Sequence, residues 1–398
     1  MEATAFSTQK IQHLRAETKG TSSKIHFNNA GSSLPPDVVV DTLVNYLREE
    51  AILGGYECEY KYRQQLESVY VSVAKLINAE PDEIALVESA SVGWGIAFNG
   101  MSFKAGDEII TCEMEYVTNV IGFIHAQKTL GVKIIVIPND AEGNFDLNGL
   151  KAAITPKTKL IAITHIGSST GGVMPVEEIG LIAHENNILY LVDACQSVGQ
   201  LPADVKAINC DMLSVTGRKY LRAPRGTGFL FVKKSVQEWL TPFFVDGFGT
   251  TSITLDDYKF RDDARRFELY ERNRALTLGF GKAVDYALDL GMDNIWLRIQ
   301  HLAKCLRQQL AQIEGVTLHD NGTQQCGIVT FTVKGMESAL IKEKLAERNI
   351  NTSVGLAKST LYYMTRHQLT SVVRASLHYY NTEDELKSLC DALRTLAL

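Results

Sequence analysis

The chain has 398 residues, room for a large domain with a smaller one beside it, and its 45% hydrophobic and 22% charged residues are ordinary for a globular protein. A formal net charge of −6, with acidic and basic residues interleaved, offers no basic stripe to neutralise a phosphate backbone, so nucleic acid is not an expected partner. The seven cysteines, Cys58, Cys112, Cys195, Cys210, Cys305, Cys326 and Cys390, form no CxxC pair, which argues for reduced thiols and against a disulfide frame or a metal site.

Met1 to Lys24 is polar and lacks the apolar run of a signal peptide, and no apolar stretch reaches the length of a membrane span. The expectation is a cytoplasmic protein with no membrane partner. After Pro35-Pro36, the residues Val40, Leu43, Val44, Leu47 and Ala51 recur at helical spacing and predict a helix over 37–51. Seven short apolar runs follow, at Ile84 to Val87, Glu108 to Cys112, Lys133 to Ile137, Leu160 to His165, Leu189 to Ala194, Met212 to Val215 and Gly228 to Val232. They run apolar without strict alternation, as strands covered on both faces do, and helix-length segments separate most of them. This predicts an α/β fold built on a seven-stranded, mainly parallel sheet sandwiched by helices.

The stretch from Phe243 to Arg265 is rich in Gly, Asp and Thr and has little periodicity, which places a domain change there. Helices are predicted at Arg274 to Gly291, Asn294 to Ile313, Met336 to Glu347 and Thr382 to Leu396, with apolar runs at Gly327 to Val333 and Val372 to Leu377. The expected organisation is an N-terminal segment (1–26), a large domain (27–257) and a small α+β domain (258–398).

Ligands in open α/β sheets sit outside the carboxyl ends of the strands, so polar residues just past each apolar run draw attention. Asp193 ends an apolar strand, where a lone carboxylate is costly to keep ionised without a cationic partner. Just past the next strand comes Thr216-Gly217-Arg218-Lys219. A lysine able to form a Schiff base, paired with an acid that protonates a pyridine nitrogen, is what a protein contributes to pyridoxal 5′-phosphate (PLP) chemistry, and Lys219 and Asp193 fit those roles.

From here the sequence resembles the class V aminotransferase and cysteine desulfurase group of fold type I PLP enzymes. The motifs that carry the resemblance are Phe27 to Ser32, Ser89-Ala90-Ser91, Glu115-Tyr116, Thr164-His165 through Pro175, Val192 to Gln196, Thr216 to Lys219, and Val373 to Leu377 with Tyr380-Asn381-Thr382. The resemblance implies that Lys219 holds the cofactor and moves the α-proton, that Asp193 keeps the pyridine nitrogen protonated, and that Gln196 bonds the phenolate oxygen. It further implies phosphate binding by the backbone near Ala90 and Ser91 with the hydroxyls of Ser91 and Thr216 and the charge of Arg218. Tyr116 stands where the family stacks a histidine, and Ser168 where it has an asparagine. Arg374 is expected at the substrate carboxylate, with Asn28 nearby. A homodimer with shared active sites is implied, with 243–272 as the cross-subunit segment.

Cysteine desulfurases of this group present a cysteine on a small-domain loop, and Gly327 to Leu389 contains none. Asn28 to Gly31, Gly54 to Glu57 and Arg265-Arg266-Phe267-Glu268 resemble the branch containing C–S lyases and isopenicillin N epimerase-like proteins. The leading expectation is therefore β-elimination from a cysteine derivative, such as an S-conjugate or sulfoxide, to pyruvate and ammonia. Transamination and epimerisation or racemisation share its first half and stay open, as does a catalytically silent binding subunit.

Overall fold

The computed structural model describes residues 6–397. Its centre is a seven-stranded sheet of β1 (Ile84–Val87), β2 (Glu108–Cys112), β3 (Lys133–Ile137), β4 (Thr158–Thr164), β5 (Leu189–Asp193), β6 (Met212–Thr216) and β7 (Gly228–Val232), in the order β1-β7-β6-β5-β4-β2-β3. β7 alone runs against its neighbours, so the carboxyl ends of the other six share an edge with the start of β7. Register aligns Thr164 with Asp193 and Asp193 with Ser214 across β4, β5 and β6.

The uninterrupted apolar character of these strands has a direct physical cause. Alternate side chains enter opposite cores. Ile161, Ile163, Tyr190, Val192, Leu213 and Val215 join one cluster, with Ile179 and Ile182 from the helix Val176–Glu185. Leu160, Ala162, Leu191 and Met212 join another, with Trp94 and Phe98 from Ala90–Asn99 and Phe123 from Val117–Leu130. In the inner strands neither face is left for water, while the edge strand β3 is only half-buried.

A second, antiparallel sheet of β8 (Val316–Leu318), β9 (Ile328–Val333), β10 (Ser353–Leu356) and β11 (Ser371–Ser376) has the order β8-β9-β11-β10. It packs against Met292–Leu310 and Glu383–Ala397 over a core that includes Leu302, Leu306, Phe331, Val373 and Leu389, and Phe27 from the N-terminal part of the chain. Two features were not anticipated. Gly55–Ile77 is a helix of 23 residues, entered through Gly54 at φ 95°, and its buried face runs mainly from Leu66 to Ile77 after a polar first half. Within the stretch expected to be irregular, Thr250–Ile253 and Tyr258–Phe260 form an exposed hairpin. Among the described residues, no helix is long and apolar enough to cross a membrane.

The loop that follows β6 is held by a close backbone approach. Gly199 has φ 97°, and a Cβ there would lie 2.4 Å from the Tyr220 carbonyl carbon and 2.5 Å from the Leu221 nitrogen. Both the left-handed conformation and the contact exclude a side chain. Gly199→Ala is expected to cost at least about 2 kcal/mol, read as a lower urea midpoint at unchanged slope; an unchanged midpoint would show that the two segments are free to separate.

Candidate active site

The shared sheet edge opens on a cavity of about 210 Å³. Past β1, Ser89 caps the helix Ala90–Asn99 by accepting from the Val92 amide at 3.3 Å, and Ala90 and Ser91 line the cavity in its first turn. A helix start of this kind favours an anion. Past β2, Tyr116 lines the wall, with its ring centroid 5.8 Å from Lys219 Nζ. Ser168, past β4, lies 3.2 Å from the Thr360 hydroxyl. Past β5 come Asp193 and Gln196, and past β6 Thr216, Arg218 and Lys219, all on the same cavity.

Asp193 is 5% exposed and Lys219 8%. The Asp193 carboxylate accepts from the Cys195 amide at 3.0 Å on one oxygen and from Asn119 Nδ2 at 2.9 Å on the other. Burial lowers the basicity of the Lys219 amine, with the neighbouring Cys195 and Asp193 opposing that shift. Cys195 also lines the cavity, and burial, then the Asp193 charge, pushes its thiol up to about 12. It is a poor nucleophile in that state. Gln196 donates to the Ala30 carbonyl at 3.2 Å while its Oε1 is buried without a partner. Arg218 reaches back to the Gly31 carbonyl, with its basicity lowered by burial.

Two of the residues expected at the site stand off the cavity wall. Arg374 lies half-buried on β11, where it donates to Ser353 Oγ at 2.9 Å and to the Ser168 carbonyl at 2.6 Å. Asn28 packs against Gly31, and its Oδ1 is buried and unpartnered. Residues given no role at the site from the sequence also converge, among them Arg222, read there only as a charge at the same sheet edge. Asn119, in the first turn of Val117–Leu130, lines the cavity beside Asp193. Glu115, singled out only as the residue before Tyr116, is buried next to it. Arg222, at φ 61°, donates to the Leu34 carbonyl at 2.7 Å, Tyr379 Oη at 2.5 Å and Thr18 Oγ1 at 2.6 Å, and its amide donates to the Lys219 carbonyl at 2.9 Å. Asn119 carries a readable signal, a polar residue one turn after Tyr116; Arg222 sits in a loop whose sequence gives no hint of its partners.

A model of the aminotransferase class-V family matches residues 25–389. This chain belongs to the aminotransferase class-V family. A probable cysteine desulfurase of Synechocystis sp. is 31% identical to this family member over 389 residues, 93% of this chain and 90% of the relative. The apo cysteine desulfurase of Thermococcus onnurineus NA1 superposes with a TM-score of 0.92 at 26% identity, covering 97% of this chain and 98% of that one. C-DES, a cystine C–S lyase, superposes with a TM-score of 0.87 at 23% identity in complex with its product cysteine persulfide, covering 95% and 99% of the two chains. A C-DES mutant with glycine covalently linked to its PLP cofactor gives the same TM-score at 22% identity over 96% and 98%. The fold of this class-V family member is thus the type I arrangement that its sequence resembled.

Because the Lys219 amine is held below its ordinary 10.5, it adds stability only above that value and loses it as the pH falls through the depressed one. Near neutrality it is a cost. Lys219→Met is therefore expected to stabilise the ligand-free protein by about 1 kcal/mol at neutral pH, with the gain in urea midpoint shrinking as the pH approaches 10.5. A lower midpoint at neutral pH would contradict this electrostatic reading.

Proposed function

We propose that this chain is a carbon–sulfur lyase that eliminates the β-substituent of a cysteine derivative, releasing pyruvate and ammonia. Pyridoxal 5′-phosphate is its cofactor, and the chain is an enzyme. The observation that carries the reading is the joint burial of the Lys219 amine and the Asp193 carboxylate in one cavity whose wall also carries Gln196.

The residues present fit that cofactor. Lys219 is the amine for its aldehyde carbon, and Asp193 the acid for its ring nitrogen. Gln196 Nε2, which spends one hydrogen on the Ala30 carbonyl, would donate its other hydrogen to the phenolate oxygen. The helix start at Ala90 and Ser91, with Thr216 and Arg218, suits the phosphate dianion. When bound, PLP supplies an electron sink for negative charge on the substrate α-carbon.

The chain's own residues do the rest. Lys219, less basic than a free lysine because it is buried, takes the α-proton. Arg374, held by Ser353 and the Ser168 carbonyl, receives the substrate carboxylate, a bidentate geometry that lysine does not reproduce. Elimination is favoured over sulfur transfer to the protein because Cys195, the cysteine that lines the cavity, sits beside Asp193 with its proton held. The segment Ser353 to Arg366 brings the Ser359 carbonyl and the Thr360 hydroxyl to Ser168 and contains no thiol. Sulfur then leaves with its fragment. We propose further that a second copy of the chain covers the exposed Phe243, Phe244, Val245, Ile253 and Leu255 and brings the 243–272 segment to the neighbouring site.

Incubating the PLP-loaded protein with cysteine S-conjugates in the absence of any α-keto acid is expected to release pyruvate and ammonia, detected by mass spectrometry. Formation of the substrate's own keto acid, only when an acceptor is added, would replace this reading with transamination. Arg374→Lys is expected to weaken substrate binding by about 2 kcal/mol, near thirtyfold; an unchanged dissociation constant would remove Arg374 from the carboxylate.

A further inference from the structure

Beneath the cavity floor lies a second acid that the reaction above does not use. Glu115 is 1% exposed and follows β2, between the ends of β2 and β4. Its Oε1 accepts from the Tyr116 amide at 3.0 Å, from Asn119 Nδ2 at 2.7 Å and from the Thr164 hydroxyl, and its Oε2 accepts from the Thr111 hydroxyl at 3.0 Å. All four donors are neutral. The same Asn119 nitrogen donates to Asp193 Oδ2 at 2.9 Å, so one amide, through its two hydrogens, bridges two buried carboxylates. An acid buried among neutral donors and next to another acid is costly to ionise.

We propose that Glu115 is a positioning residue: through Asn119 it fixes the Asp193 carboxylate in the cavity and sets how firmly Asp193 holds a protonated ring nitrogen there. The inference rests on the reading that the cavity takes PLP with Asp193 at that nitrogen. With one Asp193 oxygen engaged by Cys195 N and the other by Asn119, each keeps a single acceptor direction, and the carboxylate has little freedom to rotate. Glu115 adds charge to that constraint. Burial first, and the Asp193 charge second, push Glu115 up to about 7. Other titratable groups around it are the Cys112 thiol on β2 and the Tyr362 phenol from the small-domain helix Leu361–Arg366, both of which feel its charge. Below neutrality Glu115 is protonated and Asp193 acts alone; above it, a second negative charge behind Asp193 strengthens the hold on a cationic ring.

The sign for folding follows from the same shift. Glu115 contributes stability below its ordinary 4.5 and loses it as the pH rises through about 7. In the PLP-free protein, Glu115→Gln should therefore gain urea midpoint relative to wild type between about pH 5 and about pH 8.

The deciding experiment measures PLP dissociation constants for wild type, Glu115→Gln and Asn119→Ala at those two pH values. Glu115→Gln is expected to match wild type at about pH 5 and to bind about fivefold more weakly at about pH 8, while Asn119→Ala, which cuts the bridge, weakens binding at both. Wild-type affinity of Glu115→Gln at the higher pH would overturn the proposal and leave the PLP site intact, as would an equal loss at both pH values, the mark of a purely structural role. Wild-type affinity of Asn119→Ala would remove the bridge. If wild type itself took up no PLP, the site reading would fall and this inference with it.

Discussion

An amine and a carboxylate held nearly dry at the ends of two adjacent strands are the constraint on which the rest of this molecule depends. Asp193 closes β5 and Lys219 follows β6, and both are less than a tenth exposed. Each is costly to bury in an apolar interior. The carboxylate is supported by a backbone amide and by Asn119, and the amine stays buried at the cost of its basicity. An amine held below its solution basicity by burial suits the proposed abstraction of a proton from carbon.

The surrounding chain is arranged to keep that pair from relaxing. Arg222 ties the Lys219 loop to Leu34 and Thr18 from the N-terminal part and to Tyr379 near the C-terminus, with its guanidinium 4.6 Å from the Tyr380 ring centroid. Gly199 lets the segment after Asp193 run directly against Tyr220. Ser168 and Arg374 join the two sheets above the cavity through the Ser168 carbonyl. A displacement of the Lys219 loop would have to break contacts to three separate parts of the chain, which is how a reactive lysine is held on a loop with the precision of a strand.

Much of this was legible in the sequence, for a physical reason. Strands buried on both faces read as unbroken apolar runs, so the seven of the central sheet lie within two residues of where the runs placed them. Asp193 stands out as an acid at the end of such a run, and Lys219 as an amine three residues past the end of β6. Other parts left weaker traces. The first half of Gly55–Ile77 is polar around most of its circumference, and the short strands Val316–Leu318 and Ser353–Leu356 are defined by pairing across the small sheet, which no local pattern encodes. Arg374 was located through the family motif, yet its contact with the Ser168 carbonyl comes from tertiary packing of β11. Arg222 acts through partners more than a hundred residues away, and Glu115 reaches Thr164 and, through Asn119, Asp193, which only the folded chain brings together.

The central claim is that the buried amine of Lys219 is where this family member carries PLP. Borohydride reduction of the PLP-loaded protein, followed by peptide mapping in the mass spectrometer, tests it directly. The account predicts the added cofactor mass on the peptide containing Lys219 and on no other lysine. The same mass on a different lysine, or none on any, would contradict it.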